Sequence, residues 1–277
     1  MMTMHNACRG PLALLLAFSP VLCYPDEVAN RGQEILDKNR EAVVTVQVVL
    51  KTSYSKDSET ASPTETRYEL TGTVVDPSGL TAVAGSGCDP AEFYKKVVRG
   101  YAAYKIQSEI TSLKILLADD TELPAEIVLR DKDLDLAFVR PKVALVHSIP
   151  AVDMAKCAPA KSLEQVVALN RLNAASGRAY SACAERIIAV VSKPRPYYLH
   201  DGTSEGTKLG CPVFSLNGDI IGLIVMRVGG ALVDDYRENA ASIIIPATDV
   251  LKAARQVPPV DNRAANKAQP DSARPQK

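Results

Sequence analysis

Short apolar runs separated by turn residues fill most of the chain and constrain its fold more than any other feature. Rich in Val and Ile, they occupy residues 42–50, 68–75, 113–117, 125–129, 136–139, 163–169, 184–191, 213–216, 219–228 and 242–245. Many short strands with few helical segments are typical of an all-β protein. The runs form two groups divided near residues 140–160, so we predict two packed β-barrels, at about 40–145 and 155–250.

Turn residues support this strand pattern. Asn217 and Gly218, in "SLNGDIIG", separate two apolar runs and predict a hairpin. The stretch "ADDTE" at residues 118–122 predicts another hairpin turn, whereas the polar residues 51–67 predict a loop between strands. These turns place consecutive strands side by side, as a barrel requires.

Helices are expected mainly at the ends of the folded unit. Residues 26–40 carry apolar side chains at helical spacing, and Thr248 is placed to cap a short closing helix that ends near Gln256. Residues 89–110 predict a helical or irregular insertion within the first half of the chain.

Composition argues against nucleic acid as the main partner. The 277 residues include 32 basic and 32 acidic side chains, so the net charge is zero. Trp is absent and aromatic residues make up only 5%, so no aromatic platform for bases or sugars stands out. The hydrophobic content of 47% is enough for a full-sized core.

The two ends of the chain are predicted to lie outside the folded domain. Arg9 precedes an apolar run at residues 11–23 that is too short to span a bilayer comfortably, which predicts a signal peptide at 1–23 and a secreted or periplasmic protein. A buried N-terminal helix is the alternative. Lipid attachment at Cys23, disfavoured by the bulky Leu22, would be the one route to a membrane. Residues 24–255 form the predicted domain and 256–277 a disordered tail.

Four cysteines lie in the predicted domain, Cys88, Cys157, Cys183 and Cys211. Export makes disulfides plausible and four cysteines allow three pairings, while free buried thiols are the alternative. No C-x-x-C spacing or neighbouring histidine points to a zinc site, and no metal or cofactor is expected.

Four stretches of the chain follow one another in a recognisable order, "TGTVVDPSGLTAVAGSG" (71–87), "LLADDTELPAEIVLRDKDLDLAFVRP" (116–141), "GCPVFSLNGDIIGLIV" (210–225) and "SIIIPATDV" (242–250). In this order they resemble trypsin-like serine proteases, and most of all their HtrA (Deg) branch. The resemblance covers residues 40–255. It implies a pair of six-stranded β-barrels with the active site in the cleft between them.

The resemblance also implies that the catalytic residues are degenerate. Asp135 keeps the aspartate position of the triad, but Ser86 stands at the histidine position and Leu209 at the serine position. Thr207 replaces the oxyanion-hole glycine. A serine of ordinary pKa cannot act as a general base near neutrality, and losing the base or nucleophile costs about 10⁶ in turnover.

A non-catalytic protein that binds protein or peptide is therefore the expected function. In the family the substrate adds as a strand beside the segment that corresponds to residues 222–228, which makes Val225, Met226 and Arg227 candidate peptide-binding residues. Asp135, without a histidine to orient, is expected to serve as a structural hydrogen-bond acceptor. Leu209 is expected to pack inward against neighbours from both barrels, near Ser86 and Asp135, and to close part of the catalytic pocket.

Two alternative functions remain open on the sequence. One is hydrolysis through Cys211, whose base would be His147 or His200, although neither stands at the family's base position. The other is a structural or assembly subunit that pairs with an active protease.

Overall fold

The computed structural model describes residues 26–56, 59–60, 62–202, 208–230, 233–235 and 239–259. The predicted signal peptide, Cys23, Thr207 and the tail beyond residue 259 lie outside these residues. No helix within the described ranges is long and apolar enough to cross a membrane.

The first half of the chain forms a six-stranded antiparallel barrel. Its strands are β1 (Val43–Lys56), β3 (Thr64–Asp76), β4 (Leu80–Ala84), β5 (Lys105–Leu116), β6 (Glu122–Asp131) and β7 (Leu136–Pro141). They pair in the order β1-β3-β4-β7-β6-β5, and pairing of β1 with β5 closes the barrel. A two-residue strand, β2 (Glu59–Thr60), pairs with the end of β1.

The second half forms another closed six-stranded barrel. Its strands are β8 (Gln165–Arg171), β9 (Tyr180–Val191), β10 (Tyr197–His200), β11 (Pro212–Ser215), β12 (Ile220–Val228) and β13 (Ala240–Pro246), in the order β10-β13-β12-β11-β8-β9. Gly218, at φ +85°, supplies the left-handed turn between β11 and β12 that the sequence predicted. The two barrels confirm the predicted all-β double-barrel fold.

Helices are few and short. They are α1 (Glu27–Asn39), α2 (Gly85–Cys88), α3 (Pro90–Val97), α4 (Arg99–Ala102) and α5 (Ala247–Ala254), with 3-10 turns at Arg40–Ala42 and Ala174–Ser176. Asp26 caps α1 by accepting the N–H groups of Val28 and Ala29. The predicted cap of the closing helix is wrong, because α5 begins at Ala247 and its N-cap residue, Pro246, makes no side-chain bond.

Three strands are longer than their apolar runs predict. β1 reaches Lys56 and β3 begins at Thr64, so much of the predicted loop at 51–67 is strand. Residues 105–110 of the predicted insertion belong to β5, where they alternate between exposed and half-buried side chains. Backbone pairing of β3 and β5 to the two sides of β1 extends all three strands beyond the barrel.

The barrels are joined by packing and by buried hydrogen bonds. One hydrophobic cluster continues from the first barrel into the second, and includes Phe138 and Phe214. The Thr73 hydroxyl donates to the carbonyl of Gly210 at 2.8 Å, and the Thr71 hydroxyl donates to the Asn170 side chain at 2.5 Å. These contacts fix the walls of the cleft between the barrels.

Candidate functional site

The cleft between the barrels holds two cavities with a shared boundary. The smaller, of about 320 Å³, lies beside the β6–β7 turn and the end of β12. The larger, of about 650 Å³, lies between β3, β8 and the turn at residues 208–210. Ser86, Phe93 and Met226 line both cavities and therefore form the boundary between them.

Asp135 is held beside this boundary by the β6–β7 turn. The Asp131 carboxylate accepts the N–H groups of Asp133 and Leu134, each at 3.0 Å, and so fixes the turn. Asp135 follows with φ +54°, a left-handed conformation in which aspartate is enriched. Its carbonyl accepts the N–H of Gly85 at 2.7 Å, which ties the turn to the start of α2.

The Asp135 carboxylate connects the two barrels. Oδ1 accepts the backbone N–H of Ser86 at 2.6 Å. Oδ2 accepts the Ser86 hydroxyl at 2.9 Å and the N–H of Met226, on β12 of the second barrel, at 2.8 Å. The structure therefore brings together Ser86 and Asp135, with both polar groups of the serine bound to the carboxylate.

Burial sets the ionisation of this carboxylate. Desolvation raises the pKa of Asp135 to about 6, although the hydrogen bonds from Met226 and Ser86 favour the charged form and act against the shift. Ser86 cannot take a proton from a nucleophile as imidazole does, because its hydroxyl is not a base near neutrality.

Leu209 lies in the turn that precedes β11. It is half-buried and packs against a buried cluster whose members all belong to the second barrel. The predicted inward packing agrees with this contact, but the cluster does not include residues of both barrels as predicted. It lines the larger cavity together with Ser86, whereas Asp135 lines the smaller one. An apolar side chain at this point offers the cavity no nucleophile.

The same turn requires glycine at position 210. Gly210 has φ +88°, and a Cβ there would lie 2.1 Å from the carbonyl oxygen of Thr71 in the first barrel. Its N–H donates to Ile224 at 2.8 Å, so the turn is held from both barrels.

The four cysteines of the domain are free thiols, and Cys211 is fully buried. Burial raises the pKa of the Cys211 thiol far above its ordinary value. Of its two suggested bases, His147 is exposed and the ring of His200 is buried beside Glu185. A neutral thiol with no exposed surface is a poor nucleophile, which argues against hydrolysis through Cys211.

A buried polar cluster inside the second barrel was not anticipated from the sequence. Glu185 Oε1 lies 2.5 Å from Lys208 Nζ, and Oε2 lies 2.7 Å from His200 Nδ1 at an angle outside hydrogen-bond geometry. His200 Nε2 lies 3.2 Å from the Ser242 hydroxyl. Burial acts to raise the pKa of Glu185, but His200 and Lys208 outweigh it and the pKa is lowered.

The residues of this cluster come from four separate segments, so no local motif marks them in the sequence. Gly202 allows the close approach, since a Cβ there would lie 2.4 Å from Glu185 Oε1. The Lys208–Glu185 contact anchors the turn that carries Leu209 to the second barrel. No group of three or more His, Cys, Asp and Glu side chains that could hold a metal occurs among the described residues.

Two closed six-stranded barrels, with Asp135 and Ser86 at their junction, define the architecture. The fold is trypsin-like. Comparisons with protein-family models and with curated proteins give no match for this chain. Among solved structures, the chain is similar to the MamO protease domain from Magnetospirillum magneticum, in its apo form. That similarity is 15% in sequence identity over 78% of this chain and 96% of the other, with a TM-score of 0.47.

In this trypsin-like fold, the end of β12 presents an unpaired edge to the cleft. β13 pairs with β12 as far as Val228, whereas β11 pairs with it only to Leu223. The N–H and C=O of Ile224 point toward the β11 side of the strand. Because backbone groups alternate in direction along a strand, those of Met226 and Val228 point to the same side, where the N–H of Met226 binds Asp135. No described strand pairs with this side of residues 226–228. Among the predicted peptide-binding residues, the backbone N–H and C=O of Met226 point toward the cleft, whereas those of Val225 and Arg227 point toward β13.

Proposed function

We propose that this protein is an exported, non-catalytic member of the HtrA-like branch that binds protein or peptide in the cleft between its barrels. The observation that carries the proposal is the unpaired edge of β12, at Met226 and Val228, beside catalytic positions that hold Ser86 and Leu209. Export is supported by the apolar run at residues 11–23.

Backbone hydrogen bonds would supply the affinity. An extended peptide that adds as a strand pairs its main chain with the C=O of Met226 and with the N–H and C=O of Val228, which no described strand binds. This mode of binding needs neither a nucleophile nor a base, so it survives the loss of the triad histidine and serine. The adjoining cavities, of about 320 and 650 Å³, have the volumes of ordinary ligand pockets.

Replacing Val228 tests this mode of binding. Val228→Pro removes the N–H that would bind the peptide, whereas Val228→Ala keeps it and serves as the matched control. With fluorescein-labelled casein peptides and fluorescence polarisation, we expect Val228→Pro to weaken binding about two- to ten-fold, the value of one net hydrogen bond. Equal weakening by both variants would show that the β12 edge is not the binding surface.

Absence of catalysis is tested on the same preparation. We expect the protein to show no casein cleavage that is sensitive to a serine-directed inhibitor. Cleavage that such an inhibitor abolishes would overturn the non-catalytic part of the proposal. Pull-down from the native envelope that returned an active protease in place of peptides would favour the assembly-subunit alternative.

A further inference from the structure

Two exposed arginines stand beside the cleft edge of β12. Arg227 is exposed on β12 itself, and Arg130 is exposed near the end of β6 and lines the same smaller cavity. Neither guanidinium has an ion pair in the part of the chain that the structure describes. Their charge is therefore available to a ligand in the cleft.

The carboxylates of the adjacent β6–β7 turn are engaged by other groups. Asp131 accepts two N–H groups of its own turn, and Asp135 accepts hydrogen bonds from Ser86 and Met226. Asp133 lies 3.7 Å from the guanidinium of Arg195. None of the three neutralises Arg227 or Arg130 by direct contact.

The position of Arg227 on the strand determines which ligand atom it meets. The guanidinium lies 4.8 Å from the centre of the Tyr197 ring, which supports it from one side. Its cross-strand neighbour on β13 is Ala241, which is small and uncharged. Because the backbone groups of Arg227 point to β13, a peptide added antiparallel at the free edge would meet Arg227 in a non-hydrogen-bonded pair, where side chains approach most closely.

We propose, on the basis of the proposed function, that the preferred ligand is an extended acidic peptide with Asp or Glu opposite Arg227. The carboxylate of that residue pairs with Arg227, and Arg130 adds favourable charge across the same cavity. Opposite charges in directly facing cross-strand positions stabilise a sheet, and like charges there destabilise it. The edge supplies affinity through the backbone, and the arginines select the sequence.

An array of synthetic twelve-residue peptides tests this selection. The peptides are unstructured, and each one carries Glu, Gln or Lys at a single central position, so that the array covers every central position with all three residues. Binding of the full-length mature protein is measured at low and at high salt. We expect Glu to be preferred over Gln about two- to five-fold at one position, with Lys weakest, and the preference to shrink at high salt. Arg227→Gln should abolish the preference, and Arg227→Glu should reverse it toward Lys.

Arg186→Gln is the matched control, because Arg186 is an exposed arginine on β9 outside the cleft. It should leave the preference unchanged. If no peptide binds, the proposed function itself fails. If peptides bind but Glu, Gln and Lys are equivalent, or Arg227→Gln retains the preference, acidic selection is wrong while peptide binding stands. A dimer in solution that Arg227→Glu abolishes would identify a second copy of the chain as the occupant and would also overturn it.

Discussion

The carboxylate of Asp135 has a structural role at the junction of the two barrels. Its carboxylate accepts hydrogen bonds from Ser86 on one barrel and Met226 on the other, so its removal would loosen the junction between them. No histidine is required for either bond. The sequence expectation that Asp135 serves as a hydrogen-bond acceptor agrees with these contacts.

Stability should depend on pH through Asp135. Burial raises its pKa in the folded protein to about 6, above the value of about 3.9 in an unfolded chain. Between these values the folded state binds the proton more tightly, so the contribution of Asp135 to stability falls as pH rises from 4 to 6. The linked change in the free energy of unfolding is about 3 kcal/mol.

Urea unfolding of the wild type and of Asp135→Asn between pH 4 and 7 measures this contribution. The variant should lose that part of the pH dependence, while Asp133→Asn, in the same turn and exposed, should keep it. Identical pH profiles for wild type and Asp135→Asn would contradict the assignment.

At the scale of elements, turn chemistry and apolar patterning predicted more of the fold than of the site. The Asn217–Gly218 hairpin and the ten apolar runs all correspond to structure, because buried strands carry a local signal. β10 carries no such signal, because "YYLH" is short and its pairing with β9 and β13 is non-local. The Glu185–His200–Lys208 cluster was missed for the same reason, as tertiary folding alone brings its members together.

The turn that carries Leu209 should depend on Gly210 for more than its backbone angle. Gly210→Ala combines a positive φ with a Cβ placed 2.1 Å from the carbonyl oxygen of Thr71. Gly218→Ala has a similar φ, but its Cβ meets no described atom within 4 Å. Urea unfolding should show a loss of about 1–2 kcal/mol for Gly218→Ala from backbone strain alone, and a clearly greater loss for Gly210→Ala. Equal losses would mean that the barrels do not approach each other closely at this turn.

At the scale of the whole molecule, the hydrogen bonds that join the two barrels also fix the walls of the cleft between them. Thr73 binds Gly210, Asp135 binds Met226, and buried Arg171 on β8 donates to the carbonyls of Leu116 and Leu117. The same hydrogen bonds therefore stabilise the fold and hold the cleft in place. Under the proposed function, this scaffold supports a peptide-binding groove without catalytic groups.

Under the proposed function, placing histidine and serine at the two triad positions that the resemblance assigns should not produce proteolysis. The double variant combines Ser86→His with Leu209→Ser. Its histidine lies next to Asp135, but its serine lies in a turn that the contact of Lys208 with Glu185 holds to the second barrel. Thr207 would still occupy the position that the resemblance assigns to the oxyanion glycine, and loss of an oxyanion donor costs about 10²–10³ in turnover by itself. We expect no cleavage of a fluorogenic casein substrate above background by a double variant that urea unfolding shows to be folded. Turnover well above background, and sensitive to a serine-directed inhibitor, would mean instead that the turn has kept a catalytic shape.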